Sequence, residues 1–243
     1  MPTLTHTKPT NLYAILKRTP LFAKLRDAEL DEIAGNARLF SYPHGNIIFH
    51  QNEIGRTMYI IVTGKVRIFK TASDGGETTT NIFTTGDVFG EFSIFDQLPR
   101  SASAKTLTQC DLIQFADVDF MRYLHSMPML VDETLRLLTH KVRWTATIAE
   151  ALAQYDATSR LVHILVLYIE QFGEQSKNGE YTFAWGLTQS DLASLLGVRR
   201  EWLNQILGQW HKRKLLTFEN QTITVHDLSR LIAEPQTHKN KYK

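Results

Sequence analysis

The run Gly86-Asp87-Val88-Phe89-Gly90-Glu91 is followed, nine residues past its last acid, by Arg100 and Ser101 within Pro99-Arg100-Ser101-Ala102-Ser103-Ala104. These types at this spacing suit a phosphate carried on a sugar. The two glycines leave backbone N–H groups open on the inside of a turn. A guanidinium with a hydroxyl beside it suits the anion, and a carboxylate suits a ribose hydroxyl. A second polar set lies toward the other end of the chain. Arg199, Arg200, Glu201, Asn204 and Gln205 fall on the outward face at the start of a predicted helix. Such side chains pair with base edges in a major groove: Arg with guanine, Asn or Gln with adenine, Glu with cytosine. Gln189 and Ser190 open the preceding helix, a place suited to phosphates.

The elements that must position the first set are β-rich. Residues 11–40 read as short helices, with Leu12, Ile15 and Leu16 on one face and Leu30, Ile33 and Ala34 on another. From Asn46 to Phe120 short β-prone runs alternate with Gly, Asn and Asp. The candidate strands are Ile47 to Phe49, Met58 to Lys70, Thr78 to Phe83, Ser103 to Leu107 and Leu112 to Phe115. Their regular spacing predicts a closed, jelly-roll-like β-roll.

Between Pro128 and Tyr155 there is no glycine and no further proline. Val131, Leu135, Leu138, Val142, Thr145, Ala149 and Leu152 recur at alternating intervals of four and three. That seam predicts a long helix pairing with its twin in a parallel homodimer. A helix packed in its own core is the competing reading. Thr145 is either a tolerated, register-setting residue of that seam or a hydroxyl aimed at a bound molecule. Asp156 to Ser159 cap a further helix from Arg160 to Phe172, closed by Gly173, and Tyr181 to Phe183 form a short strand. Thr188 caps a helix carrying Leu192, Leu195 and Leu196. Gly197 makes the turn, and a second helix runs from Arg199 to Lys212 with Trp202, Leu203, Ile206 and Leu207 inward. Leu215 to Phe218 and Thr222 to Val225, joined by Asn220-Gln221, form a wing-like hairpin. An amphipathic helix pair with a solvated face is the bland alternative.

Composition narrows the remainder. The 243 residues, 43% hydrophobic and 21% charged, suit two globular domains. No apolar run approaches the length of a membrane-spanning helix, and the polar N-terminus lacks a signal core, so a cytoplasmic protein is expected. The single Cys110 excludes an internal disulfide framework and a cysteine-ligated cluster. His44, His50, His125 and His140 form no metal pattern. No nucleophile–base pair points to an enzyme, and Gly75-Gly76 reads as a hairpin turn. Net charge is +2, with Arg199, Arg200, Lys212, Arg213 and Lys214 concentrated near the DNA-reading candidates. The termini, Met1 to Thr10 and Glu234 to Lys243, are polar and predicted to be mobile.

With both ends read, the chain resembles the CRP/FNR family of bacterial transcription regulators from about Leu21 to Ile232. Phe89-Gly90-Glu91 through Arg100-Ser101-Ala102 is similar to that family's phosphate-binding cassette. Leu187-Thr188-Gln189 through Gly197-Val198-Arg199-Arg200-Glu201 is similar to its DNA-reading element. The resemblance implies an α+β chain in three parts: an effector-binding β-roll at 1–127, a dimerisation helix at 128–157 and a winged helix-turn-helix domain at 158–243. It implies a cyclic nucleotide effector, cyclic AMP or cyclic GMP. Glu91 would take the ribose hydroxyl, with backbone of Gly90 and Phe92 beside it, and Arg100 and Ser101 the cyclic phosphate. Thr145 falls where the family offers a hydroxyl to the purine, and Arg200, Glu201 and Gln205 fall on base-reading positions. The implied partners are a second copy of the chain, near-palindromic double-stranded DNA and RNA polymerase. Two departures stand out: Ala146 replaces a frequent second hydroxyl, and Gln205 a frequent arginine. Two other functions stay open. One is a regulator that answers to another effector or to none, with Glu91 and Arg100 paired structurally. The other is a nucleotide-binding signalling module whose C-terminal helices bind protein.

Overall fold

A computed structural model describes residues 3–5, 9–184 and 188–239. The chain divides into two compact units, Met1–Val142 and Arg143–Lys243.

In the first unit a strand β1 (Thr3–Thr5) precedes two helices, α1 (Pro9–Arg18) and α2 (Asp27–Asn36). Eight strands follow: β2 (Arg38–Tyr42), β3 (Ile47–Phe49), β4 (Thr57–Thr63), β5 (Val66–Thr71), β6 (Glu77–Phe83), β7 (Val88–Phe89), β8 (Ser103–Thr106) and β9 (Cys110–Ala116). A short helix α3 (Phe92–Phe95) leaves β7, and α4 (Asp117–Ser126) leaves β9. The strands form two antiparallel sheets, β1-β2-β9-β4-β7 and β3-β8-β5-β6, which is the predicted roll.

The apolar run of β4 has a simple cause: both of its faces are covered. Met58 and Ile60 pack with Leu16, Phe22, Leu30 and Ile33 of the helical layer. Tyr59 and Ile61 pack with Val66, Phe89 and Leu112 between the sheets. The run from Met58 to Lys70 forms two strands either side of Gly64, and β5 pairs with β6 and β8 instead of continuing β4. The reading of 11–40 as helical stops short at Arg38, where β2 pairs with β9.

The long helix α5 (Pro128–Gln154) runs for 27 residues. It carries two stripes. Leu130, Thr134 and Ala151 are buried, and Leu137, Lys141, Trp144 and Ile148 between them are half-buried. The predicted seam lies beside that stripe: Val131, Leu135, Leu152 and Val142 (68% exposed) stand in solvent, with Leu138 half-buried.

The second unit contains α6 (Ala157–Phe172), β10 (Glu174–Gln175), β11 (Tyr181–Ala184), α7 (Gln189–Leu196), α8 (Arg200–Lys212), β12 (Leu216–Glu219), β13 (Thr222–Val225) and α9 (Leu228–Lys239). Its sheet has the order β10-β11-β13-β12. Leu161, Leu165, Leu192, Leu196, Leu203, Trp210 and Leu231 are fully buried. The hairpin turn takes positive φ at both Asn220 and Gln221 (48° and 60°), the backbone that a two-residue hairpin needs to match strand twist.

Of the termini expected to be mobile, residues 1–2, 6–8 and 240–243 lie outside the described residues. β1 pairs with β2, and α9 continues past Ile232. Glu234 is only 2% exposed. Its carboxylate accepts both Arg213 guanidinium nitrogens, at 2.6 and 2.7 Å, and the Trp210 indole N–H at 3.0 Å. A polar residue near a chain end was drawn into the core by a partner twenty-one residues away.

Candidate functional site

The cassette is built on the first unit alone. Gly90 leaves β7 with φ +80°, a conformation that costs glycine nothing. A Cβ there would lie 2.8 Å from Arg100 Nη1 and 3.2 Å from the Thr57 carbonyl, so the position also has no room for a side chain. Arg100, at the entry to β8, is 4% exposed. Its Nη1 donates to the Gly90 carbonyl and to Ser93 Oγ (2.8 Å). Its Nη2 donates to the Thr57 carbonyl (2.6 Å) and Thr57 Oγ1 (3.1 Å). The guanidinium stacks over Phe49 with Cζ 4.2 Å from the ring centre. Its buried Nε has no hydrogen-bond partner among the described residues.

Every acceptor that Arg100 uses is neutral, and among the described residues no carboxylate pairs with it. Burial lowers its pKa, with Tyr59, Glu91 and Glu53 pulling the other way from a distance. A buried cation without a counter-charge is expensive, and an anion brought beside it would repay that cost.

Glu91 is 2% exposed, and its Oε1 accepts Lys141 Nζ at 2.6 Å. The same ammonium donates to the Val88 carbonyl at 2.6 Å and lies 4.7 Å from the Phe83 ring centre. The acid and the guanidinium of the cassette are therefore not partners of each other. Phe92 and Ser101 are exposed beside them, and the Ser101 hydroxyl has no protein partner among the described residues. Thr145 is exposed on α5, one helical turn beyond Lys141. Gly86 needs correction as an amide donor: its N–H is spent on the Ile61 carbonyl at 2.8 Å. Asp87, next to it, caps the turn by accepting Thr84 N–H at 2.8 Å, and burial raises its pKa.

The polar set of the second unit is equally well defined. Thr188 and Asp191 form a reciprocal capping box at the start of α7. Gly197 ends it in the left-handed region (φ 65°, ψ 37°), and α8 begins three residues later. Leu203, Ile206, Leu207 and Trp210 are buried, with Trp202 half-buried. Arg199, Arg200, Glu201, Asn204 and Gln205 are all exposed, Ser190 is exposed and Gln189 half-buried. Leu187, quoted in the motif, lies outside the described residues.

Residues 39–127 match the cyclic nucleotide-binding domain model, and residues 159–234 match the Crp-like helix-turn-helix domain model. A CRP-like cAMP-activated global transcriptional regulator of Mycobacterium tuberculosis is 31% identical over 218 residues, covering 89% of this chain and 96% of that protein. The chain belongs to the CRP/FNR family. The cyclic AMP receptor protein of Thermus thermophilus is 26% identical over 217 residues, with 89% and 96% covered. Among solved structures, a CooA mutant from Carboxydothermus hydrogenoformans has the same fold, with a TM-score of 0.72 at 21% identity, covering 96% of this chain and 98% of that one.

The family's two domain types thus coincide with the two polar sets read from the sequence. The residue that the sequence reading missed is Lys141. It lies fifty positions from Glu91 on a helix read for its apolar seam. The signal that was available is its place on the stripe running from Leu130 to Ala151, where a lysine needs a buried partner.

Proposed function

We propose that this member of the CRP/FNR family is a homodimeric transcription regulator of the cytoplasm, switched by a cyclic nucleotide bound in the roll. It would read near-palindromic DNA through α8 and address RNA polymerase as the family implies. The observation that carries the effector part is the Arg100 guanidinium: nearly fully buried, held by neutral acceptors and without a counter-ion among the described residues. A cyclic phosphate supplies that charge. Arg100 and Ser101 bind it, Glu91 takes the ribose hydroxyl beside the Gly90 and Phe92 backbone, and Thr145 offers its hydroxyl to the purine.

Support for the dimer comes from α5. A helix that has already buried one stripe and still exposes Val131, Leu135, Val142 and Leu152 in heptad register suits a second copy. Glu91 is tied to α5 through Lys141. A ligand that engages Glu91 therefore acts on the dimer helix as well as on the roll. For the two winged domains to move to a spacing of one DNA turn, the ligand must bind that arrangement more tightly than the other. The recognition set would be Arg199, Arg200, Glu201, Asn204 and Gln205, with Gln189 and Ser190 on phosphates.

Calorimetric titration with cyclic AMP and cyclic GMP tests the effector part. Arg100→Ala is expected to lose about 2–5 kcal/mol of binding, as for truncation of one member of a buried charge pair. Wild-type protein that binds neither nucleotide would remove the effector part and leave the DNA part. For that part, affinity for duplex DNA is expected to fall steeply as salt rises. Affinity indifferent to salt would favour a protein partner instead.

A further inference from the structure

We propose that Arg160 is the coupling residue of this regulator: it clamps the end of α5 to the turn of the helix-turn-helix, so that a change in α5 is passed directly to α8. The proposal rests on the effector reading above only for the origin of the signal. The clamp itself lies wholly within the second unit.

Arg160 stands in the first turn of α6, where Asp156 caps the helix by accepting Ser159 N–H at 2.8 Å. A cation is disfavoured at the positive end of its own helix. Its guanidinium instead reaches out to the negative ends of two other helices. Nη2 donates to the Leu152 carbonyl at 3.5 Å, in the last turn of α5, and to the Tyr155 carbonyl at 3.2 Å, on the residue that follows α5. Nη1 donates to the carbonyl of Leu196, the last residue of α7. The carbonyls of a final helical turn have no partner within their own helix, so all three are natural acceptors.

The turn is built around this contact. A Cβ on Gly197 would lie 3.4 Å from Arg160 Nη1 and 3.7 Å from Leu152 Cδ2, so the turn packs against both the clamp and the last turn of α5. Only Tyr155 and Asp156 separate α5 from α6, and Tyr155 rests edge-on against His163, with ring centres 5.3 Å apart. Three helix ends therefore meet at one planar, rigid donor fork. Arg200 begins the recognition helix three residues beyond Gly197.

Two measurements on the full-length chain test this, with Arg160→Gln and, should that variant not fold, Arg160→Lys. The first is hydrogen–deuterium exchange without nucleotide. Ala153→Gly, at an exposed site in the last turn of α5, loosens that turn. In the Arg160 protein the loosening is expected to reach the amides of residues 197–199 with roughly tenfold faster exchange, and in Arg160→Gln to leave them within about twofold. Equal transmission in both backgrounds, or none in the Arg160 protein, would overturn the proposal. The second is DNA affinity with and without cyclic AMP, on a duplex selected from a random pool by the wild-type protein. The tightening produced by nucleotide is expected to shrink roughly tenfold in Arg160→Gln, with nucleotide affinity in the absence of DNA unchanged. Tightening of undiminished size would overturn the coupling role. A wild-type protein that nucleotide does not tighten would instead refute the effector reading, and the exchange measurement would still decide for or against Arg160.

Discussion

Removing the Lys141 ammonium gives the sharpest test of how the cassette is wired to α5. Lys141 and Glu91 meet at 2.6 Å with side chains 13% and 3% exposed. Breaking a buried pair by deleting one partner costs about 3–5 kcal/mol, because the remaining charge is stranded. Lys141 retains some solvent and also donates to the Val88 carbonyl, so a cost shifted somewhat below that range is apt: about 2–4 kcal/mol for Lys141→Met. In a unit of this size that corresponds to a fall of roughly 10 °C in melting temperature. The assay is a double-mutant cycle on Lys141→Met, Glu91→Gln and the pair, followed by urea and thermal unfolding. Replacing both charges is expected to recover at least about 2 kcal/mol relative to the sum of the single losses, as contacting residues do. Saturating cyclic nucleotide is expected to stabilise Lys141→Met more than wild type, since the ribose hydroxyl donates to a carboxylate that has lost its other donor. A coupling below about 0.5 kcal/mol would refute the reasoning: Glu91 would then have no need of Lys141, and the link from cassette to α5 would be gone.

Other outcomes follow from the same geometry. Gly90→Ala places a methyl group against Arg100 Nη1 and the Thr57 carbonyl at positive φ. It is expected to cost about 1–3 kcal/mol of stability and to displace Arg100 enough to abolish measurable nucleotide binding in calorimetry; normal affinity would show that Arg100 needs no such seat. Val142→Asp, at an exposed seam position, is expected to shift sedimentation from dimer to monomer without lowering the melting temperature of the roll; an unchanged dimer would place the interface elsewhere. Burial, with Tyr59 nearby, pushes the Tyr42 phenol up to about 12. The unfolded phenol ionises first, at about 10. The stability that Tyr42 contributes is therefore full below pH 10 and is lost as pH rises from about 10 toward about 12. Tyr42→Phe is expected to flatten the fall of the urea midpoint across that window, and an unaltered slope would assign the alkaline loss to another group.

Much of this protein is written locally. The capping box of Thr188 and Asp191, the left-handed Gly197 and the inward spacing of Leu203, Ile206 and Leu207 fix α7, the turn and α8 from neighbours within a few residues. The same holds for the 27-residue α5, whose heptad apolar residues and lack of internal glycine or proline are sequence facts. Glu91 and Arg100 could be picked out because a turn and a nine-residue gap bring both into one loop system.

Periodicity and spacing say nothing about partners that come from distant parts of the chain. Only the tertiary structure gave Glu91 to Lys141 instead of Arg100, spent the Gly86 amide on Ile61, and drew Glu234 under Arg213 and Trp210. It also gathered three helix-end carbonyls onto Arg160. A buried charge or an orphaned carbonyl must be satisfied by whatever the fold brings near, and that choice is made by packing across tens of residues.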